Sequence, residues 1–346
     1  MDIMKNEIGF PIIFVTGASR SGTSMLSRVL GGHGQILGLN ELHFFGDLCD
    51  PSRIECIAKK QDLLSLGATL FARLNRGIWH GSPNTMDFEN AKRVISTISP
   101  SHRTYGHLFL AVIKKFTMES GKALACEQTP RYIFYANHLL SIFPNSYFVH
   151  LVRDPRAVLA SQKNRWRQRG MGRTAAIPYI ETLRVRINYH PYTMGKLWLK
   201  ATLAAVKLAD HPRFKILKFE DVVDNPKGEI NRLCHFLGIQ FESAMLDVPQ
   251  MGSSHRFNRQ EKGIAKDVLN RWEQTLSKGE LLICEHINRS LMDIFEYKRT
   301  FEGVKIGPSM IFPFLSYPIH AAGVLLVNPR RALIQAKALF GQKNPD

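Results

Sequence analysis

An apolar run, Pro11-Ile12-Ile13-Phe14-Val15-Thr16, leads directly into Gly17-Ala18-Ser19-Arg20-Ser21-Gly22-Thr23-Ser24 and a helical pattern reaching Leu30. An unbroken apolar run of this length is the pattern of a strand buried on both faces, which requires helices packed above and below a sheet. The loop that follows has small residues, one Arg and a helix starting at about Gly22. Such a strand–loop–helix aims backbone N–H groups and the positive end of a helix at one point, so an anion such as phosphate or sulfate is the expected ligand.

A nucleoside-triphosphate loop would end Gly-Lys-Ser/Thr. Here Thr23 follows Gly22, and the only cation is Arg20 inside the turn. The loop is therefore poorly suited to a β,γ-phosphate with Mg²⁺, and no metal is expected. A rigid guanidinium fork suits a group whose oxygens can be clamped in pairs.

A second anion motif lies further on. The run Ser146-Tyr147-Phe148-Val149-His150-Leu151-Val152 reads as another buried strand, followed at once by Arg153-Asp154-Pro155-Arg156. Asp154 is a good helix N-cap and Pro155 fits the first helical position, which puts Ser161 about two turns into the helix. Arg153 and Ser161 can then converge on one anion at the carboxyl end of the sheet.

Arg20-Ser21-Gly22-Thr23-Ser24 resembles the 5′-phosphosulfate loop of sulfotransferases that use 3′-phosphoadenosine 5′-phosphosulfate. Arg153 with Ser161 eight positions later resembles the 3′-phosphate motif of the same family. The Arg form of the loop is similar to the bacterial, carbohydrate and protein-tyrosine branches, which carry a Glu downstream as general base. Glu41, twenty-one positions after Arg20, matches that spacing. The resemblance covers about residues 9–300. It implies the sulfotransferase version of the nucleotide-kinase-like fold, a three-layer α/β arrangement with a mainly parallel sheet, which the alternating strands and helices also support.

The implied roles follow residue by residue. Glu41 takes the acceptor proton, and Arg20 with the N–H groups of Ser21 to Ser24 holds the transferring group. Arg153 and Ser161 fix the 3′-phosphate, and Ser253 or Ser254, with Arg256 or Lys262, completes the donor site. One position departs from the family: in Glu127-Gln128-Thr129-Pro130-Arg131 the family usually has Lys where Gln128 stands. A neutral amide donates a hydrogen bond but cannot neutralise charge on a leaving phosphate. Arg131 is one substitute cation. Gln128 also keeps open a non-catalytic nucleotide-binding or scaffold protein of the same fold; a P-loop kinase is the other alternative.

The rest of the chain is less specific. Residues 42–78 read as mostly helical, 79–90 as a loop, 91–118 as two helices broken near Ser99-Pro100, and 133–142 as a helix. Residues 192–209 give a long helix with Trp198 as core, and Phe214 to Phe219 a third strand. Glu220 to Gly238 opens and closes a helical unit similar to a structural stretch of the family, and 278–295 give a last amphipathic helix. Residues 163–186 hold seven Lys/Arg against one acid, and the whole chain has a net charge of +17. That balance calls for anionic partners. Nucleic acid is not favoured, since the aromatics are not interleaved with the basic runs.

The five cysteines are scattered without CxxC spacing, which suggests neither a disulfide framework nor a zinc site. No leader is evident before the first strand, and the expected setting is cytoplasmic, peripheral at the inner membrane face if the tail binds lipid. Residues 1–300 read as the sulfotransferase domain and 301–346 as a separate apolar and basic tail. That tail either packs on the domain or on a second copy of the chain, or lies in the plane of an anionic membrane surface. The acceptor hydroxyl is expected on a carbohydrate or a lipid-linked molecule, less so on a peptide tyrosine.

Overall fold

The computed structural model describes residues 9–78, 82–168, 179–249, 262–265, 269–301, 308, 315–329 and 332–333. Five strands form one sheet: β1 (Ile12–Gly17), β2 (Ile36–Gly38), β3 (Leu124–Glu127), β4 (Tyr147–Val152) and β5 (Phe214–Lys218). They lie in the order β2-β3-β1-β4-β5, and every pairing is parallel. β1 is therefore central, with Phe14 beside Glu127 of β3 on one side and Phe148 of β4 on the other.

Both faces of the sheet are covered, as the apolar run requires. Ile12 and Phe14 pack into one core with Phe109, Tyr132, Phe143 and Phe148. Ile13 and Val15 pack into another with Leu26, Val149, Leu151 and Leu217. The rings of Phe14 and Phe148 meet at 4.8 Å across the two strands. The chain leaves β1 towards β2 and β3 on one side, then returns to place β4 on the other. Neighbouring β1 and β4 thus mark the switch point of the sheet, where the loops from their carboxyl ends diverge and leave a crevice.

Two helices start from those loops. Helix α1 (Thr23–Gly31) follows β1. The helix Pro155–Lys163 follows β4, with Asp154 accepting from the N–H of Arg156 and Pro155 in its first turn. Between them come α2 (Lys60–Arg76), α3 (Thr85–Thr97), α4 (Tyr105–Glu119) and α5 (Ala136–Ile142), so Pro155–Lys163 is α6. Beyond α6 lie α7 (Tyr179–Ile187), α8 (Pro191–Val206), α9 (Phe219–Asp224), α10 (Pro226–Leu237), α11 (Trp272–Thr275), α12 (Lys278–Ile294) and α13 (Tyr317–Val327).

The structure departs from the sequence pattern in several places. Residues 42–59 are not helical apart from a 3₁₀ turn at Pro51–Arg53. Gly46 has φ +83° and Phe44 and Phe45 are buried against Phe109, so an irregular path serves the core better than a helix. The loop expected over 79–90 gives way at Thr85, where a reciprocal cap between Asn84 and Asp87 starts α3. Pro130–Tyr135 forms a 3₁₀ turn before α5. The short strand β2 had no sequence signal of its own: three residues at a sheet edge are too few to show a period.

Candidate active site

Arg20 joins the two anion motifs. Its Nε donates to Ser161 Oγ on α6 at 3.1 Å, and its carbonyl accepts from Arg153 Nη1 at 3.2 Å. Arg20 has φ +81°, a left-handed conformation rare for a side chain larger than Asn, and Gly22 two residues on has φ +99°. The alternation turns the loop back so that it meets the end of β4. At Gly22 a Cβ would stand 2.6 Å from the ring of Phe219, so only Gly fits. That ring also carries the Arg153 guanidinium, 4.3 Å from its centre.

The loop is shaped for an anion. Gly22 offers no side-chain cap to α1, and its carbonyl accepts from the N–H groups of Met25 and Leu26, which leaves those of Thr23 and Ser24 at the positive end of the helix for an anion. Ser21 is fully buried and its hydroxyl has no hydrogen-bond partner among the described residues. An orphaned buried hydroxyl is costly unless a ligand completes it. Trp198, a core residue as expected, also donates from its indole nitrogen to the Arg153 carbonyl at 2.9 Å and so fixes where that residue leaves the strand. Burial pushes the Arg153 guanidinium pKa down against the opposing charges of Glu220 and Asp154; a bound phosphate would relieve that cost.

Glu41 stands near this loop on a segment held from below. The N–H of Leu42 donates to Glu127 Oε1 and Thr129 Oγ1 at 3.0 and 3.2 Å, and that of His43 to Thr129 Oγ1 at 3.2 Å. The Tyr132 hydroxyl accepts from the N–H of Phe44 at 2.7 Å. Arg73 Nη1 donates to the Leu42 carbonyl at 2.6 Å. The Glu41 side chain itself is 35% exposed and bonds His43 Nε2 through Oε2 at 2.8 Å. Desolvation would raise its pKa. The hydrogen bond and charge of His43, with the charges of Arg165 and Arg20, outweigh it and hold the carboxyl below the usual range. Glu127 is the opposite case. Full burial pushes it up to about 8 despite its Thr129 and Leu42 donors, and the Glu41 charge acts in the same direction. One carboxyl is kept ionised and its buried neighbour is mostly protonated at pH 7.

Gln128 lies where the motif places it. Its Oε1 accepts from Ser24 Oγ at 3.1 Å, at the start of α1. Its NH₂ meets no protein acceptor among the described residues, so it is a neutral donor beside the loop. Arg131 sits in the following 3₁₀ turn and makes no hydrogen bond or ion pair to the loop among the described residues. Ser253, Ser254 and Arg256 lie outside the described residues. Lys262 is described, and its Nζ bonds Asp247 at 2.8 Å.

Three further residues belong to this neighbourhood, of which only Arg165, one of the seven cations of residues 163–186, carried a sequence signal. Gln162 Nε2 donates to the Ser19 carbonyl at 2.9 Å, tying α6 to the loop. Gln162, Arg165 and Asn188 line a small cavity with Val185, Tyr189 and Met194. The Asn188 amide is buried there, and among the described residues neither its oxygen nor its nitrogen is hydrogen-bonded. A larger cavity of about 340 Å³, lined by Leu48, Asp50, Arg53, Leu66 and Tyr105 among others, shares no residue with the anion site.

Comparison with known proteins identifies the family. The profile of the Sulfotransferase family matches residues 11–243. The chain belongs to that family. It is 29% identical over 133 residues to the omega-hydroxy-beta-dihydromenaquinone-9 sulfotransferase Stf3 of Mycobacterium tuberculosis, covering 37% of this chain and 32% of the relative. It is 20% identical over 166 residues to the 3-beta-hydroxysteroid sulfotransferase of Cavia porcellus, covering 42% and 52%. The chain thus spans about a third to a half of the curated relatives it matches. Among solved structures, the sulfotransferase domain of the Synechococcus PCC 7002 olefin synthase aligns at TM-score 0.48 and 20% identity, over 84% of this chain and 96% of that one.

Proposed function

We propose that the chain transfers a sulfuryl group from 3′-phosphoadenosine 5′-phosphosulfate to an acceptor hydroxyl. The observation that carries this reading is Arg20, which bonds Ser161 with its side chain and Arg153 with its carbonyl and lies within electrostatic reach of Glu41. One residue thereby connects the loop for a 5′-phosphosulfate, the pair for a 3′-phosphate and the base.

In this reading Arg153 and Ser161 hold the 3′-phosphate and so select this donor over ATP. Ser21 Oγ and the first-turn N–H groups of α1 hold the 5′-phosphosulfate oxygens. Glu41, already ionised, accepts the acceptor hydroxyl proton as that oxygen bonds to sulfur, and later releases it to solvent. The bond broken is that from sulfur to the bridging oxygen. Arg20 and the loop dipoles stabilise the charge left on the phosphate, while Gln128 adds a neutral donor.

The acceptor is proposed to be a hydroxyl on a lipid or a lipid-linked molecule. Two of the relatives are named for a hydroxylated menaquinone and a hydroxysteroid, both apolar alcohols. Carbohydrate carried on lipid fits the basic composition of the chain. A second reading, a donor-binding protein without turnover, is favoured by Gln128 alone.

The test is Glu41→Gln, assayed by mass spectrometry for sulfated product formed from the donor and a lipid extract. Turnover is expected to fall by roughly 10²–10⁴ with donor affinity retained, the usual share of a positioned base. Normal turnover in the variant contradicts the role of Glu41. Donor binding without product in the wild type supports the second reading.

A further inference from the structure

The face that α7 and α13 share has apolar side chains turned to solvent. Helix α13, Tyr-Pro-Ile-His-Ala-Ala-Gly-Val-Leu-Leu-Val, contains no charged residue. It packs along α7: Val324 is buried, and a Cβ at Gly323 would sit 3.8 Å from Ile187. Arg184 Nε of α7 donates to the Val327 carbonyl at 3.3 Å. The His190 ring, at the start of α8, meets those of Tyr317 and His320 at 5.1 and 4.8 Å. Among the described residues the helix is thus anchored on one side only. On the other, Ile319 is 78% and Leu326 84% exposed, and Leu315, Leu325, Tyr179 and Leu183 are exposed as well. Single exposed apolar side chains are ordinary, but a contiguous group on two packed helices marks an interaction surface.

We propose that this α7–α13 face docks onto an anionic lipid leaflet. The charge of the sequence selects the partner. From Gly303 to Pro345 the sequence has five Lys/Arg (Lys305, Arg330, Arg331, Lys337, Lys343) and no Asp or Glu, and the whole chain carries +17. Arg186 adds an exposed cation on α7. An anionic surface attracts each such cation by about 1 kcal/mol when it lies close. A second copy of the chain would bring the same net charge of +17 against itself. Eleven residues of helix are about 16 Å long, against a hydrocarbon core of about 30 Å, so α13 lies in the interface rather than across it.

The position of the face matters for the site. Val185 and Asn188, on and just after α7, line the small cavity with Gln162 and Arg165 beside the donor loop. A docked molecule would have its catalytic crevice close to the leaflet. The docking proposal concerns this face alone and stands whether the acceptor is a lipid or a carbohydrate.

The test is co-sedimentation of the full chain with vesicles of phosphatidylcholine, with and without phosphatidylglycerol. Wild type is expected to pellet with the anionic vesicles, weakly with the neutral ones, and less as salt shortens the Debye length below about 10 Å. Replacing Ile319→Asp together with Leu326→Asp, both exposed, is expected to weaken vesicle binding by about tenfold or more, with the circular-dichroism melt and affinity for 3′-phosphoadenosine 5′-phosphate unchanged. Wild type left in the supernatant overturns the proposal. So does a dimer seen by light scattering that the double substitution dissociates, since a second copy would then cover the face.

Discussion

Arg20 Nε and Ser161 Oγ lie 3.1 Å apart although 141 positions separate them in sequence. The contact exists because β1 and β4 are neighbours, and the helices that follow them rise on either side of one crevice. Each residue alone is a common turn or helix residue. Joined, they bring the two proposed anion lobes together.

Arg20→Lys is expected to weaken binding of 3′-phosphoadenosine 5′-phosphate by about tenfold or more. The ammonium keeps the charge but cannot reproduce the planar fork that reaches Ser161. Isothermal titration of the variant beside wild type checks this, and equal affinities would show that the Arg20–Ser161 link does not organise the site.

The acid limb of the kcat/KM profile is expected below the ordinary Glu pKa of about 4.3, because His43 and the nearby arginines keep Glu41 ionised despite its desolvation. Removing the hydrogen bond with His43→Asn should move that limb upward, since the charged form loses support while burial remains. Asn is chosen because His43 has φ +48°, which Asn tolerates. A limb that stays in place on this substitution would mean that another group controls it.

Gln128→Lys should raise turnover. The amide sits at the start of α1 against Ser24, in position to oppose charge on the leaving phosphate. A cation there would add the charge that the neutral donor lacks. Steady-state kinetics check the expectation. Unchanged or lower turnover would show that Gln128 is suited to this site as it stands.

Arg156→Leu is expected to destabilise the fold by about 3–5 kcal/mol, the usual range for removing one partner of a buried ion pair. Arg156 is buried between Asp154 at 2.7 Å and Glu285 at 3.1 Å, and its guanidinium covers the Trp272 ring at 4.0 Å. It fastens the start of α6 to α12. Denaturant unfolding measures the loss; a change under about 1 kcal/mol would place Arg156 among the weak surface pairs.

The parts of the site that were legible in the sequence are those whose chemistry is local. Ile12 to Ser24 shows strand, turn and helix start in one short stretch, and Arg153 to Ser161 shows strand end, cap and helix in another. The spacing of Glu41 could be noticed only through resemblance to a family. The supports of Glu41 were invisible, because Leu42 and His43 reach Glu127 and Thr129 across 85 to 87 positions. Phe219 looked like a strand residue in a structural stretch, yet its ring touches both Gly22 and Arg153. Asn188 gave no signal, since an orphaned amide is a property of packing and not of composition. The path of 42–59 is irregular rather than helical because its aromatics answer to the core and not to a helical period.

The most direct measurement of the central claim is a calorimetric titration of the purified chain with 3′-phosphoadenosine 5′-phosphate, set against ATP with Mg²⁺ and repeated on Arg153→Ala. The account predicts micromolar binding of the first ligand, weak binding of the second, and loss of the first in the variant. Tight binding of ATP with Mg²⁺ in preference, or full affinity in Arg153→Ala, would contradict it.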